Sequence, residues 1–464
     1  MPRVLAAKLA MNQDIEAVNR YLLNADVRGN VGSTSAFHPE GDYDFTLAGL
    51  CLILYSFGDS PLLLYPTTVA HIVDVLMTEQ GGEPVEFTPK ILGLPLRDTE
   101  NHILMTEGSR YLKNRWLRSH GNTDPEFDNQ NNGLESFLLN HLSHMERAGF
   151  HEYNSRPYIG YTLTALLNLQ SFAGGAVSEA ATRILDRANW EYALGSFDYR
   201  RFPPFRRQPR RAVDTDLDGD YHTAMVKAWM SLRRSSERQF EIRSGDHQAL
   251  WVPFTSYRLP DKTAEWIDNK SSEYFIRMGH GDDGSPEIYS GGPGFLITAG
   301  GVAQDRFEQA VARPTTLMLD DGELELPELL QLTGKSDDYR NWNNTGVHKR
   351  FAVGNRITVP EDWSPIIKQG NLEIYKQTGQ LILVYEGTDL ALFYLPKLTD
   401  PQTALEQFKR LNPTDQLQHQ FTGFDKRKIE FDLNTTPDRW IITATSGQAI
   451  ERDFAVWPLM EGDF

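Results

Sequence analysis

Apolar positions in the first half of the chain recur at helical spacing. Residues 5–24 carry them at intervals of three and four, and residues 43–56 (YDFTLAGLCLILYS) are apolar on almost every face, the pattern of a buried helix. Pro66 opens TTVAHIVDVLMTE, with proline at a first helical turn. Residues 82–99, which hold Pro84, Pro89 and Pro95, read as a connecting loop. Amphipathic helices are then predicted near 102–118, 132–148, 157–173, 177–194 and 219–234, with no strongly alternating strand before about residue 240.

The period changes after that point. ALWVPFTSYRL and EYFIRM are rich in aromatic and β-branched residues, and beyond residue 345 short apolar runs alternate with Gly, Asn, Asp and Pro. EIYKQTGQLILVY reads as a hairpin turned at Thr378-Gly379, and one helix is predicted at 402–410. The pattern therefore gives an α+β chain, a helical part over 1–245 followed by a β-rich part over 246–464. The glycine-rich GHGDDGSPEIYSGGPGFLITAGG lacks the placement of a dinucleotide loop and has no Walker lysine, so it reads as tight turns leading into a buried strand.

Candidate chemistry concentrates between Glu100 and Phe172. Asn101 and His102 stand at a helix start, where Asn101 is placed to cap. Glu107, Arg110 and Tyr111 share one face of that helix. The connection GFHEYNSRPYIGYT gathers His151, Glu152, Tyr153, Asn154, Arg156, Tyr158 and Tyr161 at one loop-to-helix junction, with Pro157 placed as the first helical residue. Further on, DYRRFPPFRRQPRRAVD holds Arg200, Arg201, Arg206, Arg207, Arg210 and Arg211, and reads either as a solvated loop or as an anion-binding rim.

Composition narrows the classes. A formal net charge of -17 argues against a general nucleic-acid binder, and no apolar run reaches a membrane span, so neither nucleic acid nor membrane is expected as a partner. The 24 Phe, 18 Tyr and 9 Trp serve packing or sugar-ring stacking. The single cysteine, Cys51, reads as a buried small hydrophobe. The N-terminal stretch reads as an amphipathic helix, so the default location is cytoplasmic, and periplasmic or secreted if a leader has been removed. The histidines lack an HExxH-type spacing. DTDLDGD has Met225 where a calcium loop needs its last glutamate. Neither a metal nor a cofactor is expected.

A helical half carrying ENH…E..RY and GF.EYNS..Y..YT..AL.NL, followed by a β-rich half, resembles the α/α-toroid polysaccharide lyases, the heparinase, chondroitin and alginate lyase-like enzymes. The resemblance implies an incomplete α/α toroid followed by an antiparallel β-sandwich or β-sheet domain. It implies a carbon–oxygen lyase that cleaves an acidic oligosaccharide or polysaccharide by β-elimination at a uronate. In that chemistry an amide or imidazole holds the substrate carboxylate, a base takes the C5 proton and an acid protonates the leaving oxygen. Carried onto this chain, Asn101 and His102 would meet the carboxylate, Tyr158 would be the acid or base with Tyr153 second, and His222 would be a base or carboxylate partner. Glu107, Tyr153, Asn154 and Arg156 would bind substrate, and Arg206 and Arg207 would guide a polyanion. The family's histidine from the β-rich half has two candidates, His280 and His348. Two alternatives stand beside it. One is a hydrolase, cyclase or isomerase on the same scaffold, for which Glu107 with Glu152 or Asp220 are the carboxylate pairs. The other is a non-catalytic glycan-binding or interaction protein.

Overall fold

The computed structural model describes residues 2–32, 40–77, 81–84, 90–91, 94–95, 98–212, 214–233, 240–243, 245–280, 285–302 and 310–463. Thr78, Glu79 and Pro89, the predicted helix end at Arg234 and the Gly281–Gly284 turn lie outside the described residues. The fold is α+β, with twelve α-helices among the described residues and antiparallel sheets in the C-terminal part. The chain forms two compact units. Met1–Glu152, Arg156–Asn189 and Asp220–Pro260 make one, and Tyr153–Ser155, Trp190–Gly219 and Asp261–Phe464 make the other. The helical unit thus runs past residue 245 to Pro260, and two stretches inside the predicted helical part belong to the second unit.

The helices are α1 (Pro2–Ala10), α2 (Ile15–Leu23), α3 (Asp44–Phe57), α4 (Pro66–His71), α5 (Glu100–Ser119), α6 (Leu134–Ala148), α7 (Tyr158–Phe172), α8 (Gly175–Gly195), α9 (Tyr221–Ser231), α10 (Trp251–Phe254), α11 (Asp261–Asp268) and α12 (Pro401–Leu411). The single helix expected over 5–24 is two. The break falls at Asn12 and Asp14, both in left-handed backbone, a conformation these side chains tolerate. A π-helical turn, Ile72–Leu76, extends α4.

The helical unit is built around α3, which is buried along nearly its whole length because it is apolar on every face. Its contacts fix the direction of its neighbours. Along α3, Asp44, Cys51 and Tyr55 meet His102, Ser109 and Leu112 of α5 in that order. Phe45, Ala48 and Tyr55 meet Tyr161, Asn168 and Phe172 of α7 in that order. The three helices therefore run parallel, and their starts lie at one end of the unit. The first residue of α9, Tyr221, joins that end against Gly160, where an added Cβ would stand 2.6 Å from the Tyr221 Cβ. Parallel neighbours need a returning helix between them, and α4, α6 and α8 supply it in chain order. Among the described residues no helix is long and apolar enough to cross a membrane.

The second unit holds a seven-stranded antiparallel sheet. Its order is Arg356–Thr358, Leu330–Thr333, Thr315–Leu319, Phe295–Gly300, Ser285–Gly292, Tyr274–His280 and Glu461–Asp463. A six-stranded antiparallel sheet runs Val347–His348, Phe351–Gly354, Ala391–Tyr394, Gln380–Glu386, Leu372–Gln377 and Ile367–Gln369. Both sheets feed one apolar core, which Ile297 and Leu317 enter from the first and Ile374, Leu383 and Phe393 from the second. Leu405 and Phe408 of α12 and Phe421 and Ile429 of a four-stranded sheet extend the same core. Each such side chain, fully removed from water, contributes ~1.5–3 kcal/mol.

Candidate functional site

The second unit contains a buried polar centre built from three separate stretches of chain. Strand Tyr274–His280 pairs with Ser285–Gly292 so that His280 lies opposite Ser285 and Met278 opposite Glu287. Side chains alternate across a sheet, so His280, Ser285, Glu287 and Tyr289 share one face. His280 Nε2 stands 2.9 Å from Glu287 Oε2. The other carboxylate oxygen of Glu287 accepts a hydrogen bond from the Asn154 amide. Asn154 sits in left-handed backbone, which asparagine tolerates, and its Oδ1 accepts from the Arg201 guanidinium at 2.6 Å.

Tyr153 completes the centre. Its ring stacks on the His280 imidazole, with centroids 4.4 Å apart and planes 10° from parallel. Burial pushes the phenol up to about 12. The Arg206 charge acts against that rise and the Glu287 charge adds to it, and the hydroxyl itself is buried with no hydrogen-bond partner among the described residues. The hydroxyl therefore keeps its proton at neutral pH. The Arg206 main-chain N–H donates to the Tyr153 carbonyl at 3.1 Å, and strand Phe205–Arg206 pairs with Ala310–Val311. With the Glu287 carboxylate accepting from Nε2–H, the neutral imidazole carries its lone pair on Nδ1. That Nδ1 is buried and finds no hydrogen-bond partner among the described residues.

In the helical unit, the gathered helix starts hold a second polar group. His102 Nδ1 stands 2.5 Å from the fully buried Asp44, the first residue of α3. Burial pulls the imidazole pKa down, but the Asp44 hydrogen bond and charge outweigh it and raise it above the ordinary value. Asp44 is raised as well, because burial outweighs the help from His102, so the pair holds protons more tightly than exposed groups do. Asn101 is fully buried, and its Oδ1 accepts from the His102 main-chain N–H at 2.9 Å and from the Thr99 hydroxyl. It is not the cap: Thr99 precedes the helix in extended backbone and Asn101 lies inside the first turn. Its Nδ2 is buried with no hydrogen-bond partner among the described residues.

The remaining predicted site residues have varied surroundings. Tyr158, not Pro157, is the first residue of α7, and it is half-buried. Arg156, also half-buried, joins Pro157 through a cis peptide bond. Glu107 is buried in an ion pair with Arg110 at 3.2 Å, and Arg110 also donates to the Gly81 carbonyl at 2.6 Å. His222 is buried with Nε2 3.0 Å from Asn189 Oδ1, and Asn189 links on to Tyr257 and thence to Asp186. Asp220 caps α9 through the Thr223 main-chain N–H. The arginine-rich segment is not simply a solvated loop. Arg200, Arg201 and Arg206 are buried, and Arg200 is bound by Asp321 and by the Glu323 and Leu319 carbonyls. Arg207 is half-buried with φ 67°. Cys51 is buried as expected, its thiol pushed up to about 12 by burial. Among the described residues no group of three His, Cys, Asp or Glu side chains is placed to hold a metal ion.

Three predicted residues, Tyr153, Asn154 and Arg206, therefore meet around His280. Sequence reading missed Glu287 and Ser285, and it named Arg201 in the arginine-rich segment without setting it beside this centre. The signal available for the first two was the S-x-E-x-Y alternation of residues 285–289, which puts three polar groups on one face of a strand that is otherwise a core strand. Compared with protein-family models, with curated proteins and with solved structures, the chain has no significant match.

Proposed function

We propose that this chain is a polysaccharide lyase-like enzyme that cleaves a uronic-acid-containing glycan by β-elimination. The observation that carries the reading is the Tyr153–His280 stack, in which a protonated phenol lies against an imidazole held by Glu287. In the proposed step, His280 Nδ1 takes the C5 proton of the uronate. The electron pair left behind forms the C4–C5 double bond, the C4–O bond breaks, and the Tyr153 hydroxyl protonates the leaving oxygen. The charge that develops on the uronate carboxylate needs fixed donors, and this centre holds two cations, Arg201 bonded to Asn154 and Arg206, whose charge acts on Tyr153. This reading moves the acid from Tyr158 to Tyr153, because the Tyr153 ring stacks on the His280 imidazole.

Within the helical unit, two observations support the same reading separately. The parallel run of α3, α5 and α7 with returning helices between them suits an incomplete α/α toroid. The unpartnered Asn101 amide nitrogen, at helix starts whose free N–H groups favour negative charge, suits a carboxylate donor. The hydrolase alternative is less favoured, since Glu107 is tied to Arg110 and Asp220 caps a helix.

The test is a panel of uronate polymers followed by near-ultraviolet absorbance and by reducing-end assay. The account expects new absorbance and new ends together. Reducing ends without absorbance would make it a hydrolase, and affinity without turnover a binding protein.

A further inference from the structure

The β-rich unit contains a cavity of about 410 Å³ that shares no residue with the Tyr153 centre. That volume lies within the ~300–1,000 Å³ range of small-molecule sites. It opens beside the two-residue turn Lys349-Arg350, which joins strands Val347–His348 and Phe351–Gly354.

Its charge is the first argument. Lys349, Arg350, Lys397 and Arg427 line it against two carboxylates, Glu273 and Asp425, an excess of two positive charges in a chain whose net charge is -17. Glu273 takes Arg350 at 2.8 Å and Lys397 at 2.9 Å. Burial alone would raise the Glu273 pKa, but the hydrogen bonds from these two cations hold it below its ordinary value. Arg427 is matched only loosely, its Nε 3.7 Å from Asp425. Lys349 is exposed and has no ion pair among the described residues.

The backbone is the second argument. Lys349 has φ 52°, the left-handed region that a short hairpin turn ordinarily gives to glycine or asparagine. Local preference does not account for a lysine there, whereas a charged side chain at the mouth of an anion site does.

His348 is the third. Both its ring nitrogens are buried without hydrogen-bond partners among the described residues. Burial and the charges of Lys349, Arg427 and Arg277 push its pKa down to about 4. The ring is thus neutral and unsatisfied in a cationic field, which a bound anion with a hydrogen-bonding group would relieve. Tyr394 and the half-buried Phe424 supply apolar wall beside the charges.

We propose that this cavity is a second ligand site, which takes the charged group of an anionic sugar against Lys349 and Arg427 and its ring against Phe424. The shared chemistry is a carboxylate or phosphate on a sugar-sized ring, and the proposal does not depend on the lyase reading.

The test is titration calorimetry of the full chain with D-galacturonate, D-glucose 6-phosphate and D-glucose. At least one anionic sugar is expected to bind about tenfold or more tightly than glucose, and the stronger of the two identifies the charged group. Because a uronate could also occupy the Tyr153 centre, the deciding quantity is the change between variants. Lys349→Gly and Arg427→Glu are each expected to weaken the anion by about tenfold, and Lys376→Glu, an exposed cation of the same unit outside the cavity, to leave it unchanged. Lys349→Gly is also expected to raise the melting temperature by relaxing the left-handed turn, a combination of firmer fold and weaker binding that a structural lysine would not show. The proposal is overturned if neither anionic sugar binds the parent, if glucose binds equally well, or if Lys349→Gly and Arg427→Glu both leave binding unchanged. If Arg427→Glu does not fold, Lys349→Gly alone decides.

Discussion

His102 in the helical unit and His280 in the β-rich unit are both buried beside a carboxylate, yet the two pairs are built for different ends. His102 and Asp44 meet at 2.5 Å at the start of a buried helix, and both hold protons more tightly than exposed groups. Glu287 divides its two oxygens between His280 and Asn154, and His280 keeps Nδ1 buried without a partner, flat against a tyrosine ring. The first arrangement ties α3 to α5. The second leaves an imidazole nitrogen oriented and without a hydrogen-bond partner among the described residues. A histidine beside a carboxylate is thus not in itself a functional signature; what the other nitrogen and the ring faces meet decides the role.

That contrast can be broken most forcefully at His280. His280→Ala is expected to lower formation of unsaturated ends by ~10²–10⁴-fold, with the fold retained by circular dichroism. His102→Ala should act on stability, because it leaves the Asp44 carboxylate buried without its ion partner. The expected cost is ~3–5 kcal/mol in denaturant unfolding. If His102→Ala unfolds like the parent, the pair is not what ties α3 to α5.

Glycine substitutions probe the gathered helix starts at a smaller scale. Gly160→Ala puts a Cβ 2.6 Å from the Tyr221 Cβ and is expected to cost ~1–3 kcal/mol. At Gly108→Ala the nearest atom to the new Cβ is on the Leu169 side chain at 3.5 Å, an ordinary contact, and the change should be neutral or stabilising by up to ~1 kcal/mol through helix propensity. Equal melting temperatures for the two variants would contradict the close approach of α7 and α9.

The smallest effect is a pH dependence. The folded-state pKa of His102 lies above its unfolded value, so its stabilisation is fully present below the unfolded value and is lost as pH rises through the folded one. As pH rises above about 6.5, the ordinary histidine value, the parent should therefore lose more stability than His102→Gln. Parallel curves would remove the proton-holding role.

Much of the fold was legible because it follows local periodicity. The helices expected near 102–118 and 157–173 are Glu100–Ser119 and Tyr158–Phe172. The predicted hairpin turns at Thr378-Gly379, with Gln377 paired to Gln380 and positive φ at both turn residues. The arginine-rich segment was harder. Its prolines suggest a solvated loop, but the partners that bury Arg200, at Leu319, Asp321 and Glu323, lie more than a hundred residues away in the chain. The site divides in the same way. Tyr153 and Asn154 were visible as part of a dense polar connection. Glu287, which orients both Asn154 and His280, sits in a core strand more than a hundred residues beyond Asn154, where the S-x-E-x-Y alternation marks a polar face but names no partner.

The most direct test of the account is a single substitution, Tyr153→Phe, assayed beside the parent on the same panel of uronate polymers. The change removes one hydroxyl and keeps the ring that stacks on His280. The account predicts that the near-ultraviolet absorbance of unsaturated ends falls by ~10²-fold or more while the melting temperature stays close to the parent's. Unchanged elimination by Tyr153→Phe would contradict it.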